Sequence, residues 1–261
     1  MDYNIAFPKA KKAALKALEL DNNLMEAYLS LATVKLYYDW DDAAANKLIQ
    51  KALKLNPGAA AAHQNYALYL LLTGKLKEAI KESELAVQLD PLSMPNNLFL
   101  GTIYLFNQQY DNALQQYDKI LELDPRFRAA IEGKAWVYSA KGEWEKAIKY
   151  FKEYHKLTNS PLKGISGMGY AYAKAGQIGK AKQILKKLEE RERLEKDVTI
   201  AISLEMVIYM GLQDYDKVFY YLERTTPDRF GFMFFKSHPL FEEVRKDARF
   251  EKWIKKAGFE K

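Results

Sequence analysis

Three patterns in the sequence have the residue types of a chemical site. Gly164-Ile165-Ser166-Gly167-Met168-Gly169 carries the glycines and hydroxyl of a phosphate loop or a nucleophile elbow. A phosphate loop needs Gly-Lys-Ser/Thr, so that backbone N–H groups and a lysine meet the phosphates. The elbow needs glycine two residues after its serine. Neither spacing occurs, and the segment reads as small residues at a helix crossing. Asp39-Trp40-Asp41-Asp42 offers three carboxylates, but it lacks the glycine and terminal glutamate of a calcium loop. It reads as a helix–helix turn with Trp40 packed inward. The histidines His63, His155 and His238 are far apart, and no two have the i, i+4 spacing of a helical metal site. His63 is expected to pack, partly buried. The chain has no cysteine, which excludes a thiolate metal site, a disulfide and a cysteine nucleophile. The expectation is no catalytic residue, no metal and no cofactor, hence no enzyme.

The elements around these residues repeat. Leu55-Asn56-Pro57, Leu89-Asp90-Pro91 and Leu123-Asp124-Pro125 recur every 34 residues. Leu157-Thr158-Asn159 keeps the register without the proline, and Leu20-Asp21-Asn22 precedes it one residue out of step. With Ala60 as position 1, position 8 reads Ala67, Gly101, Ala135 and Gly169. Position 20 reads Ala79, Ala113, Ala147 and Ala181. Position 11 reads Leu70, Tyr104, Tyr138 and Tyr172, and position 24 reads Ser83, Tyr117, Phe151 and Leu185. Each unit holds two amphipathic segments with apolar residues three and four apart. The small residues let two antiparallel helices approach, and the large ones fill the space between neighbouring pairs. Proline ends the second helix, because it cannot continue the hydrogen-bond ladder. One pair cannot bury its own apolar face, so units must stack.

This pattern resembles the tetratricopeptide repeat (TPR), which has small residues at positions 8 and 20, aromatics at 11 and 24 and proline at 32. The resemblance implies an all-α TPR superhelical solenoid of antiparallel helix pairs, closed by a short helical C-terminal cap. The expected organisation is residues 1–24 as the trailing helix of a truncated repeat, then an array over 25–225. Its units are 25–59, with one extra residue near Tyr38-Asp39-Trp40, then 60–93, 94–127, 128–161, 162–198 and 199–225. In the last unit Met206 and Val218 replace the small residues and are expected to hold that pair further apart. Residues 226–261 form the cap, read as three short helices ending near Gly258.

A closer resemblance lies in the stretch from Ala27 to Asp41, in Tyr66-Ala67-Leu68-Tyr69-Leu70, and in the tail. The tail motifs are Lys236-Ser237-His238-Pro239-Leu240-Phe241 and Arg245-Lys246-Asp247-Ala248-Arg249-Phe250. They are similar to the C-terminal TPR region of multidomain bacterial signalling regulators. There it follows a winged-helix transcription regulator domain, a protein kinase domain or a nucleotide cyclase domain. The chain begins in mid-repeat, so it is expected to be a fragment of such a protein. Its first helix, with Phe7, Ala10, Ala14 and Ala17 facing solvent, is expected to fray or to self-associate.

Membership of the TPR family implies binding of a protein or peptide on the first helices, through positions 2, 5, 9, 12 and 13. Here those positions supply Leu68, Leu72, Phe106, Trp136 and Tyr170, a strip suited to an apolar helix or extended segment. The carboxylate clamp of chaperone-binding TPR proteins is not matched. Asn65 stands at position 6 of one unit, where the others have Ser30, Phe99, Gly133 and Gly167. The strip is expected to point away from the helix-pair interfaces. Phe106→Glu and Trp136→Glu should then spare the fold, and Ala113→Leu should strain it.

Charge and hydropathy complete the reading. The chain is 49% hydrophobic and 28% charged, which suits a packed core rather than disorder. Residues 141–196 hold 14 Lys/Arg against 7 Asp/Glu. A helical repeat that binds nucleic acid through this stretch is the alternative function. Glutamates interleave with the lysines, so solvated helix faces and no nucleic-acid partner are expected. No stretch of about 18 apolar residues occurs, so no membrane segment is expected. The expected compartment is the cytoplasm, or the periplasm if a transmembrane helix lies upstream.

Overall fold

The computed structural model describes residues 3–158, 162, 164–194, 204–224 and 229–256. Asn159 and Gly258, named above, lie outside them, as do residues 195–203. The helices are α1 (Tyr3–Leu20), α2 (Met25–Val34), α3 (Asp42–Leu55), α4 (Ala60–Leu72), α5 (Leu76–Leu89), α6 (Met94–Phe106), α7 (Tyr110–Leu123) and α8 (Arg128–Ala140). They continue with α9 (Trp144–Thr158), α10 (Ile165–Lys174), α11 (Ile178–Leu194), α12 (Leu204–Leu212), α13 (Tyr215–Leu222), α14 (Arg229–Ser237), α15 (Glu242–Lys246) and α16 (Ala248–Lys256). No strand occurs among the described residues. The fold is an all-α solenoid of helix pairs, divided into two compact units, Met1–Ile103 and Tyr104–Lys261.

The repeat positions behave as their volumes demand. Ala67, Ala79, Ala113, Ala135, Ala147 and Ala181 have no exposed surface, and neither does Ala45 in the first full repeat. Tyr117 and Phe151, at position 24, are buried against glycines at position 6 of the next unit. A Cβ on Gly133 would lie 2.5 Å from the Tyr117 ring, and one on Gly167 would collide with the Phe151 ring. A Cβ on Gly169 would lie 2.6 Å from Ile208. The glycine-rich segment 164–169 is thus a set of helix crossings, as expected. Met206 and Val218 are both fully buried.

Two turn types punctuate the array. Between the helices of a pair, position 15 is left-handed, with φ of 80° at Gly74, 58° at Gln108, 75° at Gly142 and 76° at Gly176. The next N–H then bonds back across the helix end, as from Gln109 to the Tyr104 carbonyl at 2.8 Å and from Glu143 to the Tyr138 carbonyl at 2.9 Å. This is the bonding of a Schellman cap, which satisfies carbonyls the helix leaves open. Between pairs, the Asx side chain closes the turn. Asn56 accepts from the Gly58 N–H at 3.1 Å, and Asp124 from the Arg126 N–H at 2.9 Å. The Asx residue of the Leu-Asx-Pro signature therefore contributes to the stop along with the proline.

In the first unit the extra residue is absorbed by one π-helical turn, Lys35–Asp39. Trp40 follows in the left-handed region at φ 54° and is 46% exposed, which corrects the expectation that it packs inward. A ring that bulky fits a left-handed position when it points out of the turn. Asp39 instead ties the turn down, pairing with Lys11 at 3.0 Å and Lys35 at 2.8 Å. Helix α1 also departs from expectation. Ala14 is buried against Ala27 and Leu31, Ala17 joins that cluster, and Phe7 stacks on Tyr37 and lies tilted against Tyr38. Only Ala10 of the four named residues is exposed. The opposite face carries the open apolar side chains, Ile5, Leu15 and Leu20. The reason is that α1 docks on α2 through the face a preceding-repeat helix uses.

In the second unit the tail is part of the core. Phe235 and Phe241 have no exposed surface, and Val244, Phe250 and Trp253 are buried with them. They share one cluster with Val218, Phe219 and Leu222 of α13. The 3-10 turn Pro239–Phe241 joins α14 to α15.

Candidate functional site

The proposed strip falls in both units. Leu68 and Leu72 lie on α4 in the first, Leu68 half-buried and Leu72 buried. Phe106, Trp136 and Tyr170 lie in the second, Phe106 at position 13 on α6 and the other two at position 9 on α8 and α10. There the structure brings the three to one face. Trp136 and Tyr170 have ring centres 6.3 Å apart. Trp136 stands edge-on to Phe151 of the core at 4.8 Å.

The tail reaches the same face. Phe234 meets Phe106 edge-on at 6.0 Å. The His238 ring lies 5.5 Å from Phe106, 5.7 Å from Trp136 and 4.3 Å from Phe234. Phe106 is left 5% exposed and His238 2%. Side chains that point away from their own helix pair are here covered by another part of the chain. The expected insensitivity of the fold at Phe106 therefore gives way to a packing role. Trp136 and Tyr170 remain half-buried.

His238 sits there as a neutral ring. Its Nδ1 accepts the Leu240 N–H at 3.0 Å, which leaves the proton on Nε2. Burial, with the Arg245 guanidinium adding to it, holds its pKa down at about 3. Arg245 fixes the turn by donating from Nη1 to the carbonyls of Phe235 and His238, both at 3.0 Å.

Beside the tail an open cleft of about 320 Å³ remains. Its walls are Tyr110, Trp136, Trp144 and Tyr170 on one side and His238, Pro239 and Leu240 on the other. Trp144 stands edge-on to Tyr170 at 6.2 Å. Lys141, Lys174 and Glu242 mark the rim. Lys141 is held by Asp111 at 2.8 Å, with Glu143 at 3.7 Å. Lys174 places its ammonium over the Trp144 ring, 6.0 Å from the centre. Burial, with Tyr215 adding to it, pushes the Tyr170 hydroxyl up to about 12, so it stays protonated. The sequence reading missed Tyr110 and Trp144. The signal was there: both are aromatic at position 17, the first residue of the second helix.

The other candidates resolve as structure. His63 is buried, with Nδ1 at 2.7 Å from Glu82 and Nε2 at 2.8 Å from the Pro57 carbonyl, so it pins a turn to a helix. Among the described residues no cluster of three or more His, Asp or Glu could hold a metal ion. Among them, too, no helix is long and apolar enough to cross a membrane. Several lysines in and beside the basic stretch are engaged locally. Lys134 pairs with Asp118 at 2.5 Å and lies 4.9 Å from the Tyr150 ring centre. Lys146 pairs with Glu143 at 2.6 Å, and Lys180 lies over Tyr172 at 5.2 Å.

Comparison with known proteins follows the repeat. Residues 40–93 and 100–161 match the family model of the tetratricopeptide repeat. Human Protein O-mannosyl-transferase TMTC3 is 30% identical over 160 residues, 60% of this chain and 18% of that protein. The chain spans less than a fifth of the length of the first curated relatives it matches. Among solved structures, PilW, a type IV pilus biogenesis factor, is similar with a TM-score of 0.66 at 19% identity, over 80% of this chain and 90% of that one. YrrB, a TPR protein with an unusual peptide-binding site, gives 0.54 at 20% identity, over 79% and 99%. At these identities the structures speak for the fold alone. Residues 40–93 and 100–161 are therefore tetratricopeptide repeats, in sequence as well as in fold.

Proposed function

We propose that the chain is a non-catalytic protein-interaction scaffold that holds a partner segment on the first-helix faces of its repeats. One observation carries this reading. Positions 8 and 20 are fully enclosed between helices, yet Trp136 and Tyr170, at position 9, line an open cleft. Aromatic rings held rigidly at the edge of a cleft are the side chains that anchor partners. YrrB, with its peptide-binding site, shares this fold. The engaged lysines and interleaved glutamates favour a protein partner over nucleic acid. The tail and the Tyr38-Asp39-Trp40-Asp41 insertion support a place as the docking or sensory region of a bacterial regulator. Self-association through the open face of α1, Ile5 and Leu15, belongs to the same proposal. Sedimentation that finds only monomer at high concentration would remove that part.

The test is capture on beads. A protein retained from a bacterial lysate by the wild-type chain should be lost about tenfold on Tyr170→Glu or Leu68→Glu. Both variants should keep their helical circular dichroism. Retention unchanged in both variants contradicts docking on these faces.

A further inference from the structure

One second helix carries an exposed charge pattern that packing does not require. Positions 22, 25 and 29 of the repeat are exposed in four successive repeats. They read Lys81, Glu84 and Gln88 on α5, Gln115, Asp118 and Glu122 on α7, and Gln183, Lys186 and Glu190 on α11. On α9 all three are lysine, Lys149, Lys152 and Lys156. Residues three and four apart share a helix face, so the three ammonium groups form one stripe. Like charges at that spacing repel one another. Among the described residues none of the three meets a carboxylate at ion-pair distance, whereas Lys146 pairs with Glu143 and Lys186 with Glu190.

Helix α11 extends the pattern. Lys152 and Lys180 lie over the same ring, Tyr172, at 5.9 and 5.2 Å from its centre. Lys187 stands two turns past Lys180, so it falls on the same side of α11. It is exposed and has no ion pair with a described residue. The acids of α9 are Glu145 and Glu153. Glu145 accepts from Gln177 at 3.3 Å. Glu153 follows Lys152 and so points about 100° round the helix from it. None of these lysines lines the aromatic cleft.

Such a track selects an occupant by charge and by spacing. At a rise of 1.5 Å per residue, the stripe sets its charges about 4.5 and 6 Å apart along α9. An α-helix with Glu or Asp three and four residues apart presents carboxylates at the same intervals. We propose that the outer faces of α9 and α11 dock an acidic α-helix of a partner protein, laid along Lys149, Lys152 and Lys156 with Lys180 and Lys187 on its flank. This surface is separate from the first-helix faces, so one chain can hold a partner segment on each side. Exposed ion pairs are individually weak and screened by salt. The track therefore works through several lysines acting together.

The probe is a fluorescein-labelled, alanine-based helical peptide of about 20 residues with glutamates three and four apart. It is titrated into the full chain by fluorescence polarisation. The dissociation constant should be about 100 µM or tighter in dilute buffer. Raising the salt to about 0.5 M should weaken binding about tenfold. The triple variant Lys149→Glu, Lys152→Glu, Lys156→Glu should weaken it about tenfold or more, and should bind a lysine version of the peptide better than the wild type does. A second triple variant, Lys75→Glu, Lys77→Glu, Lys81→Glu, makes the same change of net charge at exposed positions of the first unit. It should stay within about twofold of the wild type. All six positions are exposed, so both variants should keep their helical circular dichroism. An equal loss in the two variants would mean that the peptide senses net charge alone, which overturns the proposal. So does the absence of binding to the wild type, or equal binding of a peptide with the same glutamates spread round the helix. A single-stranded oligonucleotide of the same charge that binds more tightly than the peptide, and is lost in the α9 variant, gives the track to nucleic acid and also overturns it. Bead capture with Tyr170→Glu reads the first-helix faces, so that reading stands or falls separately.

Discussion

Phe106→Glu lowers the melting temperature of the chain by about 10 °C, while Leu68→Glu leaves it within a few degrees. That is the expected result if the tail covers Phe106. The ring lies between Phe234 and His238 and is 5% exposed. Truncating such a ring costs about 3–5 kcal/mol. A carboxylate in its place is buried without a partner, which adds a desolvation penalty. For a folding unit of this size each kcal/mol moves the midpoint by about 2–4 °C. Leu68 is half-buried on α4, where a glutamate can reach water, so the change stays within about 1 kcal/mol. Thermal denaturation followed by circular dichroism reads both. A wild-type melt for Phe106→Glu would mean that the tail does not rest on that ring.

The second large effect is a loss of stability in weak acid. His238 is neutral when folded, with a pKa of about 3 against 6.5 in the unfolded chain. The unfolded state binds the proton first, so stability is complete above pH 6.5 and declines as pH falls through the window from 6.5 to 3. The slope approaches 1.4 kcal/mol per pH unit, so about 3 kcal/mol is gone by pH 4. The groups around the ring do not offset this. Arg245 opposes the protonated form, and Lys141, Lys174, Glu242 and Tyr110 line the same cleft. Asp39, Asp247, Glu143 and Glu243 have pKa values held down by lysine or arginine partners. They also lose stability in acid, but only from the ordinary carboxylate range of about 4 downward. The fall between pH 6.5 and 5 therefore belongs to His238. His238→Asn keeps an acceptor for the Leu240 N–H and removes the titration. Its melting temperature should be flat across that window. A wild-type melt equally flat from pH 7 to 5 would show that the ring is not buried neutral.

The repeat itself was readable because it is local and periodic. Ala113 and Ala147 recur at fixed intervals, and a buried alanine at a helix crossing has no substitute of other size. The pairing of Tyr117 with Gly133 and Phe151 with Gly167 was readable too, as large and small residues in complementary register, though the sequence reading joined neither glycine to its ring. The candidate site was readable by half. Position 9 places Trp136 and Tyr170 side by side, as their ring contact shows. What covers that face comes from residues 234–240, about 100 residues after Tyr138 and in no repeat register. No periodicity marks such a contact. The tail's own pattern shows two apolar faces, since Phe234 and Phe235 are adjacent and cannot both point one way on a helix. That arrangement required a second surface for Phe234, and the aromatic strip is that surface. Trp40 was misread because a single inserted residue was given no backbone conformation. A left-handed residue after a π-turn sends its side chain outward.

The tail seated against the aromatic face of α6 and α8 is the central contact of the second unit. Nuclear Overhauser contacts of the His238 ring, observed in the full chain at neutral pH with labelled histidine, test it directly. The account predicts cross-peaks from His238 to the ring protons of Phe106 and Trp136, and a His238 Cε1 proton shift that stays constant from pH 8 to pH 5. A His238 resonance that shows neither contact and titrates with a midpoint near the ordinary histidine value of about 6.5 would contradict it.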